Sequence, residues 1–155
     1  MEAMAIDHSR FAFVDLGSGK GRALMLAAAY PFRRIIGVEF ARELHEAAQK
    51  NVLALPDDSK IELVHGDAAD FRLPDGAVAL FLYNPFGEEL VRRVARNALS
   101  SLQENPRDFR LFYLNALHEA AWSEAGFEVA ERGQGFTIFG LPVKAGAALD
   151  DQAAA

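Results

Sequence analysis

The sequence predicts an α/β protein: a three-layer αβα sandwich around a mostly parallel seven-stranded sheet, closed by an antiparallel strand from a C-terminal hairpin. Three observations carry this. Short apolar runs alternate with longer stretches of helical periodicity along most of the chain. One run, Ala77 to Tyr83 (AVALFLY), is apolar throughout, as a strand covered on both faces must be. The last two runs are joined by Arg132-Gly133-Gln134-Gly135, a hairpin-like turn.

The elements follow in order. Phe11 to Leu16 (FAFVDL) is short, apolar and ends at a glycine cluster, so it reads as a buried strand. Lys20 to Tyr30 is rich in Ala, Leu and Met and is stopped by Pro31, which predicts a helix. Arg34 to Glu39 (RIIGVE) is a second strand. Arg42 to Leu55 sets Leu44, Ala47, Ala48 and Val52 at helical spacing before Pro56. Ile61 to His65 is the third strand and Ala77 to Tyr83 the fourth. Glu88 to Leu102 is a helix with Leu90, Val91, Val94, Ala98 and Leu102 on one stripe. Phe109 to Leu114 is a fifth strand, and His118 to Ala125 a short helix capped by Gly126. Phe127 to Glu131 and Phe136 to Leu141 complete the hairpin, whose antiparallel strand is expected at the sheet edge. No repeat or linker divides the chain. Residues 1–10 form an N-terminal segment, 11–144 the core and 145–155 an Ala-rich tail expected to be poorly ordered.

Composition excludes several classes. A chain of 155 residues, half of them apolar, suits one soluble domain with a sizeable core. No apolar run reaches the roughly 18 residues of a membrane span. Cysteine is absent, which removes disulfides, thiolate metal sites and cysteine nucleophiles and fits a cytoplasmic protein. No His and carboxylate spacing resembles a metal site. A net charge of −6 argues against a nucleic-acid partner, although Arg92, Arg93 and Arg96 cluster, as do Arg33 and Arg34. Those clusters read more simply as solvated surface.

The chemistry-bearing residues sit at strand ends. The first strand runs into Asp15-Leu16-Gly17-Ser18-Gly19-Lys20-Gly21, a D-x-G-x-G-x-G turn. The dinucleotide spacing G-x-G-x-x-G, begun at Gly17, fails at Arg22. A phosphate-binding G-x-x-x-x-G-K-[ST] loop fails at Val14 and at Gly21. S-adenosylmethionine carries no phosphate and has a cationic sulfonium, which suits an acid at Asp15. A plain tight turn would also use such glycines. The next two strand ends add to the case. Glu39 stands where an acid accepts both ribose hydroxyls, with Phe40 beside it to pack on adenine. Asp67, with Ala68, could accept from the adenine amine or serve as an N-cap.

The segments VDLGSGKGR, GVEF and HGDAADF together resemble the first three motifs of class I S-adenosylmethionine-dependent methyltransferases, and the likeness extends from Phe11 to about Leu141. The resemblance implies that Asp15, Gly17 and Gly19, with Ser18 and Gly21 in the same turn, line the methionine part, Glu39 the ribose, and Asp67 the adenine. The fourth strand end, Tyr83-Asn84-Pro85-Phe86-Gly87, partly resembles the N-P-P-[YF] signature of amino-group methyltransferases and the N-N-F-x-F-G region of non-SET histone-lysine methyltransferases. That likeness implies catalytic roles for Asn84, Pro85 and Phe86, with Asn84 also beside the cofactor, and a nitrogen acceptor on a protein or small molecule. Asn84 and Pro85 would equally suit a strand-to-helix turn. Tyr83, Asn115 and His118 lie near the same ends, His118 as a candidate base or a helix-start residue. His45 is expected on the surface, His65 partly buried, and Trp122 with Phe127 in the core. Family members usually carry helices before the first strand, so a homodimer or a separate N-terminal lid is expected to close the site. The alternative is a non-catalytic module that binds S-adenosylmethionine.

Overall fold

The computed structural model of the chain describes residues 6–55, 60–83 and 86–142. The tail and two of the sequence-predicted catalytic residues, Asn84 and Pro85, lie outside them. Seven strands form one sheet: β1 (Ala12–Leu16), β2 (Arg34–Glu39), β3 (Ile61–His65), β4 (Val78–Tyr83), β5 (Phe109–Leu114), β6 (Glu128–Gly133) and β7 (Phe136–Gly140). Among the described residues four helices join them: α1 (Arg22–Ala27), α2 (Arg42–Val52), α3 (Glu88–Glu104) and α4 (Glu119–Glu124). A 3₁₀ turn, His8–Arg10, precedes β1 among the described residues.

The strand order is β3-β2-β1-β4-β5-β7-β6. The first five strands pair in parallel, and β7 runs antiparallel to both β5 and β6. The expected antiparallel edge strand is therefore interior: β7 is inserted between its hairpin partner and β5, and β6 becomes the edge. Burial explains the arrangement. Thr137 to Gly140 of β7 are buried, whereas every residue of β6 is exposed, and Glu128, Glu131 and Arg132 suit that edge.

Successive β1 side chains divide between two cores, as the period of two demands. Val14 and Leu16 join the core beneath α3 and α4, with Trp122 and Phe127 inside it as expected. Phe13 joins Leu24, Ala27 and Phe32 on the α1 face. α3 buries Val91, Val94, Ala95, Ala98 and Leu102 and leaves Leu90 half-exposed at its start. α2 lies beside α1, where Asn51 donates a 2.9 Å hydrogen bond to the Lys20 carbonyl.

α1 is shorter than the composition of residues 20–30 predicts. Gly21 caps it in the left-handed region at φ 82°, so the helix cannot begin earlier. Its far end tightens into i→i−3 bonds, Ala29 to Leu26 and Tyr30 to Ala27. α2 likewise ends at Val52 rather than Leu55. The arginine clusters lie on the solvated surface, as expected, and pair there with the protein's own acids: Arg34 with Glu62, Arg92 with Glu88 and Glu124, and Arg93 with Asp70.

Candidate functional site

The sheet changes direction between β1 and β4, because β2 and β3 extend to one side of β1 and β4 onward to the other. Ligands in open α/β sheets bind at such a switch point, beyond the carboxyl ends of the strands. The Asp15–Gly21 turn sits there.

Its glycine spacing has a backbone cause. Gly17, Gly19 and Gly21 all have positive φ, at 81°, 54° and 82°. Each would cost an L-residue about 1–2 kcal/mol. The turn is tied down from β2: the Gly17 and Ser18 N–H groups both donate to the Val38 carbonyl, at 2.8 and 3.0 Å. The Gly19 N–H donates to Glu39 Oε2 at 2.8 Å, and the Ala41 N–H donates to Glu39 Oε1 at 2.8 Å. Glu39 thus holds two turns together, and each carboxylate oxygen keeps a further lone pair.

Two cavities meet at Gly17 and Gly19. The first, about 460 Å³, is lined by Glu39, Phe40, Gly66, Asp67, Ala68 and Phe86, with Val38, Ala41, Leu44 and Leu90. The second, about 490 Å³, is lined by Asp15, Ser18, Arg22, Leu26, Phe81 and Tyr83, with Ala23 and Leu114. The structure therefore brings together Asp15, Gly17, Ser18, Gly19, Glu39, Phe40, Asp67, Ala68 and Phe86. Gly21 lines neither cavity; it caps α1 and faces Ala48 of α2. Phe86 faces the cavity of Asp67, and Tyr83 the cavity of Asp15. Asn115 and His118 line neither; His118 caps α4 without a side-chain bond. Leu44, Leu90, Arg22 and Leu26 are additions that sequence reasoning missed, since helical spacing alone marks them as core or surface.

Electrostatics separate the candidate ligands. Asp15 is 4% exposed and Glu39 8%. Among the described residues neither carboxylate pairs with a Lys or Arg. Burial, and secondarily the Glu39 charge, push Asp15 up to about 7. A buried acid in that state favours a cationic ligand and opposes a pyrophosphate. The Ser18 hydroxyl is buried against Gly37 of β2 and has no hydrogen-bond partner among the described residues. Phe40 is 74% exposed at the first cavity, an aromatic face available for stacking. Asp67 Oδ1 accepts from the Ala69 N–H at 2.8 Å, as a turn-capping Asp does, and Oδ2 stays free of any described hydrogen bond.

Two histidines depart from expectation. His45 is buried and its ring lies 5.2 Å from that of His65, which is itself exposed. The described residues contain no cluster of metal-ligating side chains.

A methyltransferase domain family model matches residues 13–105. The chain belongs to that family. It is a class I methyltransferase domain, and S-adenosylmethionine is its cofactor. The buried acids and the exposed Phe40 ring fit that cationic, aromatic molecule. A comparison with curated proteins found no match by sequence. Solved structures share the fold. One is a complex of the Haloferax volcanii Trm112 methyltransferase activator and a methyltransferase: 16% identity, TM-score 0.69, covering 92% of this chain and 86% of that one. Magnesium protoporphyrin IX methyltransferase (ChlM) from Synechocystis PCC 6803, solved with bound S-adenosylmethionine, is 17% identical with TM-score 0.62, covering 83% and 67%. The [4+2]-cyclase SpnF is 18% identical with TM-score 0.60, covering 77% of this domain, which spans only 53% of SpnF. No helix among the described residues is long and apolar enough to cross a membrane.

Proposed function

We propose that this domain transfers a methyl group from S-adenosylmethionine to a nitrogen of a protein or small molecule. One juxtaposition carries the reading: Asp15 and Glu39, buried acids that pair with no Lys or Arg among the described residues, flank the glycine turn where two cavities meet. In this reading Asp15, Gly17, Ser18 and Gly19 receive the methionine end, and Glu39 the ribose hydroxyls through its remaining lone pairs. Phe40, Asp67 and Ala68 receive the adenine. The placement of Phe86 beside Asp67 supports an adenine contact better than an acceptor contact. The acceptor then enters by the second cavity, along Tyr83. When bound, the cofactor would supply an electrophilic methyl: the nitrogen lone pair would form the C–N bond as the C–S electrons stay on sulfur, and the N–H proton would pass to water. The protein's part is chiefly alignment.

Calorimetry tests the cofactor site. Glu39→Ala should weaken S-adenosylmethionine at least tenfold, by about 1.4 kcal/mol or more. Unchanged affinity would remove the ribose assignment. Asn84→Ala should spare cofactor affinity and abolish methyl transfer from labelled cofactor to cell-extract fractions. A second reading, a cofactor-binding module without transfer, draws on the SpnF likeness, since that fold serves a named cyclase. Binding with no transfer to any fraction would favour it.

A further inference from the structure

We infer that His65 is a positioning residue for the adenosine end of the cofactor site, acting through the Phe40–Ala41 peptide; this deepens the reading just proposed and rests on it. The parallel ladder places His65, the last residue of β3, opposite Glu39, the last residue of β2. The His65 ring reaches past that pair, and its Nε2 lies 3.0 Å from the Phe40 carbonyl oxygen. A carbonyl only accepts, so Nε2 carries the proton. The other end of the same peptide unit, the Ala41 N–H, donates to Glu39 Oε1 at 2.8 Å. One peptide plane is therefore held at both poles, by an acid from β2 and an imidazole from β3.

That plane sets two things at once. It aims Phe40, whose ring stands exposed on the wall of the first cavity. It also opens α2, whose first turn closes when the His45 N–H donates to the Ala41 carbonyl at 3.0 Å. His45, buried on α2, packs its ring against that of His65 at 5.2 Å and fixes the side from which the imidazole approaches. Without the His65 donor the peptide keeps a single restraint, and Phe40 loses its fixed direction toward the ligand. His65 itself does not line the cavity, so its effect passes through Phe40.

The test uses the geometry of the donor. The amide nitrogen of Gln reaches the place of Nε2, whereas that of Asn reaches only the place of Nδ1. Calorimetry with S-adenosylmethionine and with 5′-methylthioadenosine, which lacks the amino-acid end, is run on the wild type, His65→Ala, His65→Gln and His65→Asn. His65→Ala should weaken both ligands equally, by about three- to tenfold, the worth of one neutral hydrogen bond. Gln should restore affinity to within about twofold, and Asn should not. In a Phe40→Ala background the His65→Ala loss should shrink, because both changes remove the same restraint. Unchanged affinity in His65→Ala, equal rescue by Asn and Gln, or full additivity with Phe40→Ala would each overturn the role. If His65→Ala fails to fold, the Gln and Asn pair still decides it. A wild type that binds neither ligand overturns the functional reading itself and this inference with it. A wild type that binds, with His65 variants that bind alike, overturns only His65.

Discussion

Asp15 shows how a single side chain ties cofactor choice to proton chemistry. Burial strips water from its carboxylate and Glu39 adds a like charge, so the acid titrates at about 7 rather than 3.8. The sign of the consequence is fixed. Between those values the folded chain holds a proton that the unfolded chain has released. The destabilising cost is absent below the ordinary Asp range and complete above pH 7. Asp15→Asn should therefore stabilise the ligand-free protein at pH 8 by up to about a few kcal/mol, read as a raised melting temperature, with little change near pH 4. At pH 6, S-adenosylmethionine should expel part of that proton. Calorimetry in two buffers of different ionisation enthalpy would read the release in the wild type and none in Asp15→Asn; equal heats for both proteins would disconnect Asp15 from the sulfonium. The acids at three strand ends were legible in the sequence because strand ends are legible. The two donors on Glu39 were not, since Gly19 reaches it only through the β1–β2 register. His45 misled because α2 buries it together with Ala48 and leaves Leu44 half-buried, a face that helical spacing alone did not pick out.

At the scale of elements, local signals set the strands well and the helix ends poorly. β2 and β3 run from Arg34 to Glu39 and Ile61 to His65, the bounds that their apolar runs predict. α1 lost residues at both ends to backbone constraints that composition does not encode, a left-handed Gly21 and a tightened last turn. The hairpin was legible as a hairpin. Which of its strands sits inside was not, because insertion of β7 beside β5 is a non-local choice driven by burial of Ile138 and Phe139. The packing of α1 on β2 depends on one position. A Cβ on Gly37 would lie 2.3 Å from Leu24 Cδ1 and 2.9 Å from Ser18 Oγ. Gly37→Ala should thus destabilise the fold by roughly 1–3 kcal/mol through overpacking and also weaken the cofactor by displacing the turn at Ser18. Denaturant melts and calorimetry on the same variant check both effects; loss of stability with unaltered affinity would show that the turn is independent of α1.

The whole molecule couples these scales, because the proposed cofactor site draws on the ends of β1 to β4 and not on any one segment. The turn after β1 hangs on Val38 and Glu39 of β2, the Phe40 carbonyl just after β2 is held by His65 of β3, and Phe86, just after β4, completes the cavity wall. A ligand spanning those ends favours the folded chain only when all of them are assembled, so its binding energy adds to global stability. At a cofactor concentration of 100 times the dissociation constant the gain is about 2.7 kcal/mol. For a domain of this size that corresponds to a rise in melting temperature of roughly 5–10 °C. NAD presents a pyrophosphate to Asp15 and Glu39 and should give no rise. Differential scanning calorimetry with each ligand separates the outcomes. A shift with S-adenosylmethionine that vanishes in Glu39→Ala follows if β1 and β2 share the ligand, whereas a shift with NAD alone would mean that the buried acids do not govern the site.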